Sequence, residues 1–249
     1  MKEKLLLIFI LFQVQSCSYL PSNMNLEPEQ YQLTETSDYL LLEPIENAIK
    51  EGILFIPGGL VDPHAYIESF LPFTRELKMK VVIVKVRSNL AIINSGQAAK
   101  VRSEFQETRW LLGGHSLGGV VACMNIKKEG TQYEGLFLLG SYANNDISDW
   151  DQPVFSFMAE NDNFSTLADI EANANLLPSG INVESLEMLD LGDSHGKTIY
   201  YLVKGGNHAQ FGNYGEQKGD GTASISGAAQ QEEFFQALKI LMINNGFEL

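Results

Sequence analysis

The run Gly113-Gly-His-Ser-Leu-Gly-Gly119 constrains this chain more than any other feature, because it stands between the apolar Trp110-Leu-Leu112 and an apolar helical stretch. Gly-x-Ser-x-Gly set between a strand and a helix reads as a sharp, strained turn that exposes the serine hydroxyl. The glycines answer crowding: side chains at 114 or 118 would collide with the neighbouring strand and helix. The turn also puts Ser116 at a helix N-terminus, with the Leu117 amide free to donate to a developing oxyanion. Ser116 is the candidate nucleophile.

The surrounding pattern fits that turn. From Gln32 onward, short apolar runs alternate with segments of helical period, the signature of a mostly parallel sheet with helices on both faces. Strands are expected at 38–42, 53–56, 81–86, 110–113, 136–140, 154–158 and 199–203, several of them near-continuous aliphatic runs suited to a sheet covered on both sides. Helices are expected at 65–77, 95–105, 118–128 and 167–176, with a long amphipathic one at 228–244. In such sheets ligands bind beyond the carboxyl ends of the strands, so the loops after the strands are where chemistry belongs.

Three of those loops carry candidates. Pro57-Gly-Gly59 ends an early strand, and Gly59 or Leu60 could supply a second oxyanion N–H. Asp62-Pro63 then starts a helix, a cap followed by proline in the first turn. Four histidines are available. His208, in the glycine-flanked loop after the strand at 199–203, follows the serine in the chain order expected of a base. His115 lies inside the turn and reads as packing or substrate-lining, His64 sits at a helix start, and His195 in a polar turn. The orienting acid must fall between serine and base, where Ala159-Glu-Asn-Asp-Asn163 offers Glu160 and Asp162. Asp162 is preferred, being deeper in the loop; Asp146, Asp149 and Asp151 read as a solvated edge. The acid would hold the His208 tautomer and stabilise its imidazolium.

The N-terminus carries a different message. Lys2 and Lys4 precede the apolar run 5–12 and then Val14-Gln-Ser-Cys17, so residues 1–17 read as a secretory signal peptide. Eight apolar residues fall far short of the roughly 20 that span a bilayer as a helix. The last four residues resemble the lipobox of bacterial lipoproteins, with Cys17 as the lipidated residue and membrane anchor; Gln15 departs from that pattern, and plain secretion with Cys17 incidental is the other reading. Residues 18–31, polar and proline-bearing, read as a tether to a domain at 32–249. Cys123, in an apolar helix, reads as a buried thiol.

At these residues the chain resembles the α/β-hydrolase superfamily, and more narrowly a bacterial and fungal branch related to dienelactone hydrolases. The stretch Gly205-Gly-Asn-His-Ala-Gln-Phe-Gly-Asn-Tyr-Gly215 through Gly221 is similar to that branch's histidine block, and 57–63, Asn89-Leu-Ala91 and 113–119 match its pattern as well. The resemblance covers roughly residues 52 to 231 and implies an α/β-hydrolase fold with a triad on Ser116, Asp162 and His208. Asn213 stands where the branch carries aspartate, and Asn163 where it carries glycine. Dienelactone hydrolases proper use a cysteine nucleophile, so Ser116 argues against that substrate.

Together these readings point to a serine hydrolase of carboxylic esters, exported and held at a membrane through Cys17. A thioesterase, amidase or peptidase would use the same machinery, and a surface lipoprotein that keeps the fold as a binding module is the non-enzymatic alternative. A net charge of −14 opposes binding to nucleic acid. No metal-ligand spacing, dinucleotide glycine pattern or phosphate loop is present, so no cofactor or metal is implied. The connection 141–152 is too short and polar for a helical cap. The site should therefore be shallow, walled by 211–214 and Trp150, and suited to short acyl groups.

Overall fold

Apolar runs without alternation can be buried only where both faces of a sheet are covered, and the computed structural model shows that arrangement. It describes residues 18–22, 30–106 and 108–249. In chain order the strands and helices are β1 (Tyr31–Glu35), β2 (Tyr39–Pro44), β3 (Glu51–Ile56), α1 (Ile67–Arg75), β4 (Lys80–Val84), α2 (Gln97–Arg102), β5 (Arg109–His115), α3 (Leu117–Glu129), β6 (Gly135–Leu139), β7 (Val154–Ala159), α4 (Leu167–Asn173), β8 (Gly180–Val183), β9 (Thr198–Val203) and α5 (Gly227–Asn244). The strands form one sheet in the order β1-β2-β4-β3-β5-β6-β7-β9-β8, parallel from β4 to β8, with β2 antiparallel to both of its neighbours.

Successive residues of β3 feed opposite layers. Ile53 and Phe55 join the core under α1 and α5, and Leu54 and Ile56 the core under α2 and α3. Gly113 in β5 makes room for the first of these cores: a Cβ there would stand 1.9 Å from the Phe137 ring, which stacks on Phe55 with centroids 6.0 Å apart.

Each strand and helix expected from the sequence is present, with ends shifted by a few residues; the helix expected at 65–77 begins as a 3-10 turn, Pro63–Tyr66. Two strands had no counterpart in the sequence reading. Both β1 and β8 lie at sheet edges with mostly exposed residues, so they lack the apolar run that marks a covered strand.

The segment read as a tether is docked along its first part. Tyr19 forms a parallel bridge with Val61: its amide donates to Leu60 O (2.7 Å) and its carbonyl accepts from Asp62 N (2.9 Å). The connection 141–152 contains no helix, in keeping with the absence of a cap there. Trp150, however, abuts Gly130 at the far end of α3 and joins the second core, so it is no part of a site wall.

Because a Cβ at 113 would overlap a core ring, Gly113→Ala should lower unfolding stability by about 1–3 kcal/mol, the usual cost of overpacking. Urea denaturation measures this, and an unchanged midpoint would refute the packing account.

Candidate active site

The turn at Ser116 is built by exclusion. A Cβ at Gly118 would stand 2.1 Å from Ile56 O, and one at Gly114 would stand 2.4 Å from the Gly118 carbonyl. With both positions stripped to glycine, the first turn of α3 presses against the ends of β3 and β5. Ser116 takes φ 51° and ψ −125°, a conformation that costs a non-glycine residue about 1–3 kcal/mol and persists only when its surroundings fix it. They do so here: Ser116 N donates to Leu139 O (3.0 Å), and the Ser141 hydroxyl donates to Ser116 O (2.8 Å). The Leu117 amide, at the positive end of α3, has no partner among the described residues.

The acid and base meet at the end of β6. His208 Nδ1 donates to Asp162 Oδ2 at 2.7 Å, and both side chains are buried. The other carboxylate oxygen accepts from the Phe164 and Ser165 amides, each at 2.7 Å, so both oxygens of the buried carboxylate are bonded. Glu160, the competing carboxylate, is exposed and accepts from Gly205 N at 2.8 Å. It shapes the loop ahead of His208 without touching the ring. The histidine block also explains its own residues. Asp220 accepts from Ala209 N (2.9 Å), Asn207 donates to Gly221 O (2.8 Å), and buried Gln230 both accepts from and donates to the Asn207 backbone. Asn213 donates a side-chain N–H to Glu68, and its amide donates to Ala65 O (2.6 Å).

The early glycine loop narrows the choice of second oxyanion donor. Leu60 N donates to Asn89 O at 2.7 Å and is thereby engaged, which removes Leu60 from the two candidates. Gly58 N donates to the Tyr66 hydroxyl (3.0 Å) and Val61 N to Gly58 O (3.2 Å). Gly59 N is left without a partner among the described residues. A Cβ at Gly59 would stand 3.2 Å from Leu117 Cδ2, so the two unpaired amides belong to neighbouring residues.

Tyr66 and Gly140 belong to the candidate site but were not singled out in the sequence. A Cβ on Gly140 (φ 46°) would stand 2.8 Å from Asp162 Oδ2 and 2.9 Å from His208 Nδ1, so only glycine leaves space for the pair. Its one visible signal was a glycine closing an apolar strand. The buried Tyr66 hydroxyl accepts from Gly58 N and lies 2.8 Å from His115 Nδ1. Burial, and then the nearby His208, hold the His115 pKa well below the usual 6.5, so His115 is neutral and its Nδ1 accepts from Tyr66. The His115 ring packs on His208, centroids 4.5 Å apart, with Phe164 at 5.2 Å, also against His208. His115 is therefore a packing residue that ties the glycine loop to the base. Phe211 and Tyr214 are buried against it.

The remaining candidates lie elsewhere. His64 bonds to Asp62 and Glu35, and His195 to Asp193 in an exposed turn. The Cys123 thiol is buried, which pushes its pKa up to about 12 and makes it inert. Asp146, Asp149 and Asp151 are exposed. Among the described residues no group of three or more His, Cys, Asp or Glu side chains is placed to hold a metal ion. Cys17 lies outside the described residues.

A parallel sheet with a strained serine at its carboxyl edge, a buried Asp–His pair beside it and two unpaired amides is the arrangement of a hydrolase. The family model described as alpha/beta hydrolase family matches residues 52–197 and 194–232, and the chain belongs to that family. No curated protein matches the sequence. Among solved structures, the chain is similar to one described as a predicted CIB-like hydrolase from Thermoplasma acidophilum. The two share a TM-score of 0.57 and 11% identity over 86% of this chain and 99% of that one, a likeness of fold.

Neutral, buried His115 gives a pH signature. Its folded pKa lies below the unfolded 6.5, so the unfolded chain binds the extra proton first and stability falls as pH drops below that value. In His115→Gln this contribution is gone, so Tm should fall less steeply below pH 6.5 than in the wild type. Parallel slopes in thermal melts would contradict a buried neutral His115.

Proposed function

We propose that the protein is a serine esterase acting on carboxylic esters with short acyl groups. The observation that carries this reading is the buried Asp162–His208 hydrogen bond at the strand end beside Ser116. His208 Nε2 accepts the Ser116 proton as the hydroxyl oxygen attacks the ester carbonyl. The Leu117 and Gly59 amides then receive the oxyanion. Collapse of the tetrahedral intermediate expels the alcohol, which takes the proton from His208. Water, deprotonated by the same histidine, releases the acid and returns Ser116. Asp162 keeps the proton on Nδ1, so that Nε2 faces the chemistry as an acceptor, and stabilises the transient imidazolium. The resemblance to the dienelactone-hydrolase-like branch supports a hydrolase of small esters, while Ser116 in place of cysteine directs it away from dienelactones.

The size preference follows from the loops. With no cap inserted at 141–152, an acyl chain gains little buried surface, and each buried methylene is worth only about 0.8 kcal/mol. In the same reading residues 1–17 direct export, and Cys17 is the lipid-bearing first residue of the mature chain.

Ser116→Ala should fold normally and lose about four to six orders of magnitude in kcat. Asp162→Asn should lose about four orders, because an amide favours the wrong histidine tautomer, whereas Glu160→Gln should lose far less. Turnover of a p-nitrophenyl ester series, alongside an acyl-CoA and an anilide, tests the reading. Short esters should be cleaved fastest. A faster thioester or anilide would move the activity within the same machinery, and a folded Ser116→Ala with normal turnover would end it.

A further inference from the structure

Residues 18–22, which follow Cys17 in the sequence, lie as a strap across the catalytic rim. Ser18 accepts from the Asn89 side chain (3.0 Å) and Tyr19 pairs with Leu60 and Asp62 in the glycine loop. The Tyr19 ring lies 5.5 Å from that of Tyr214, and Ser22 N donates to Asn213 O (2.8 Å) in the histidine loop. Five residues thus join the two loops that flank Ser116. Asn89 is the residue whose carbonyl holds the Leu60 amide, so the strap fastens the same glycine loop that offers Gly59 N.

Where Cys17 carries a lipid, the anchor adjoins this strap in the sequence. One peptide bond separates Cys17 from Ser18, a Cα spacing of about 3.8 Å. An acyl group on Cys17 would therefore be tethered one residue from the strap. The side chains around that pole suit such a neighbour. Leu20 on the strap is 66% exposed, Ile92 and Ile93 after β4 are 46% and 60% exposed, and Phe164 and Leu167 after β7 are 41% and 40% exposed. Phe164 also packs against His208. Exposed apolar side chains stand at the opposite pole as well, Ile45 at 61% and Ile243 at 53%, so the strap and the anchor, rather than apolar exposure alone, distinguish the catalytic pole.

We propose that the catalytic mouth faces the bilayer, with the strap and the apolar rim seated on a zwitterionic lipid surface, so that esters reach Ser116 from the membrane side. The inference rests on the reading of Cys17 as the lipid-bearing residue. A net charge of −14 works against anionic lipid, so apolar contact and the anchor hold the surface.

The test uses full-length protein purified from host membranes and placed on phosphatidylcholine vesicles. Cys123 is buried and an acylated Cys17 has no free thiol, so Ile92→Cys or Ile243→Cys supplies one labelling site for an environment-sensitive fluorophore. The expected result is a blue shift and strong quenching by brominated lipid at 92, neither at 243, and a mature terminus at Cys17 carrying acyl mass. Quenching at 243, or equally at both sites, in an acylated protein would overturn the orientation and leave the anchor intact. A blue shift at 92 without lipid quenching would mean that two copies associate through the rim, and also overturns it. An unacylated terminus would overturn the anchor and the orientation together.

Discussion

Everything at the site depends on how closely the first turn of α3 approaches the ends of β3 and β5. That approach is possible because Gly114 and Gly118 carry no side chains: a Cβ at either would lie within 2.4 Å of backbone atoms. It forces Ser116 into its strained conformation, points the Leu117 amide outward and brings Gly59 against Leu117. The strain is held by two hydrogen bonds, from Ser116 N to Leu139 O at the adjoining strand end and from Ser141 Oγ to Ser116 O. A larger residue at 114 or 118 would therefore disturb Ser116 and the Leu117 amide together, because they are one piece of backbone, and displace the Gly59 loop packed on them.

The second constraint is the dry pairing of Asp162 with His208. A buried carboxylate is costly unless its oxygens are bonded, and here two amides and one imidazole N–H share it. Gly140 leaves the space, Asp220 and Gln230 fix the loop, and His115 and Phe164 pack on the ring. In the proposed mechanism His115 contributes by being neutral, since a charged neighbour would oppose an imidazolium on His208. The Tyr66 hydroxyl secures that neutral form and reaches across to Gly58, so base and glycine loop are braced through a single buried phenol.

Local features were legible in the sequence to the extent that their causes are local. The elbow is written in contiguous glycines, the covered strands in unbroken apolar runs, and the order of serine, acid and base in the topology those runs imply. Asp162 could be preferred to Glu160 from its depth in the loop, but the reason for it is the pair of amides at 164 and 165. Edge strands β1 and β8 escaped because exposure removes the apolar signal. The sequence does not separate Leu60 from Gly59 as an oxyanion donor, because the Asn89 carbonyl that engages the Leu60 amide lies 29 positions away in the chain. Tyr66, Gly140 and the docked strap at 18–22 are products of tertiary approach, for which a single sequence carries no pattern.

The central claim is that Ser116 is an activated nucleophile, made so by Asp162 and His208 and served by the Leu117 and Gly59 amides. Reaction with a fluorophosphonate tests it most directly, since the reagent phosphonylates only a serine with a working base and oxyanion site. The account predicts stoichiometric labelling that tandem mass spectrometry maps to Ser116, abolished in His208→Ala. An unlabelled wild-type protein, or a label on another serine, would contradict it.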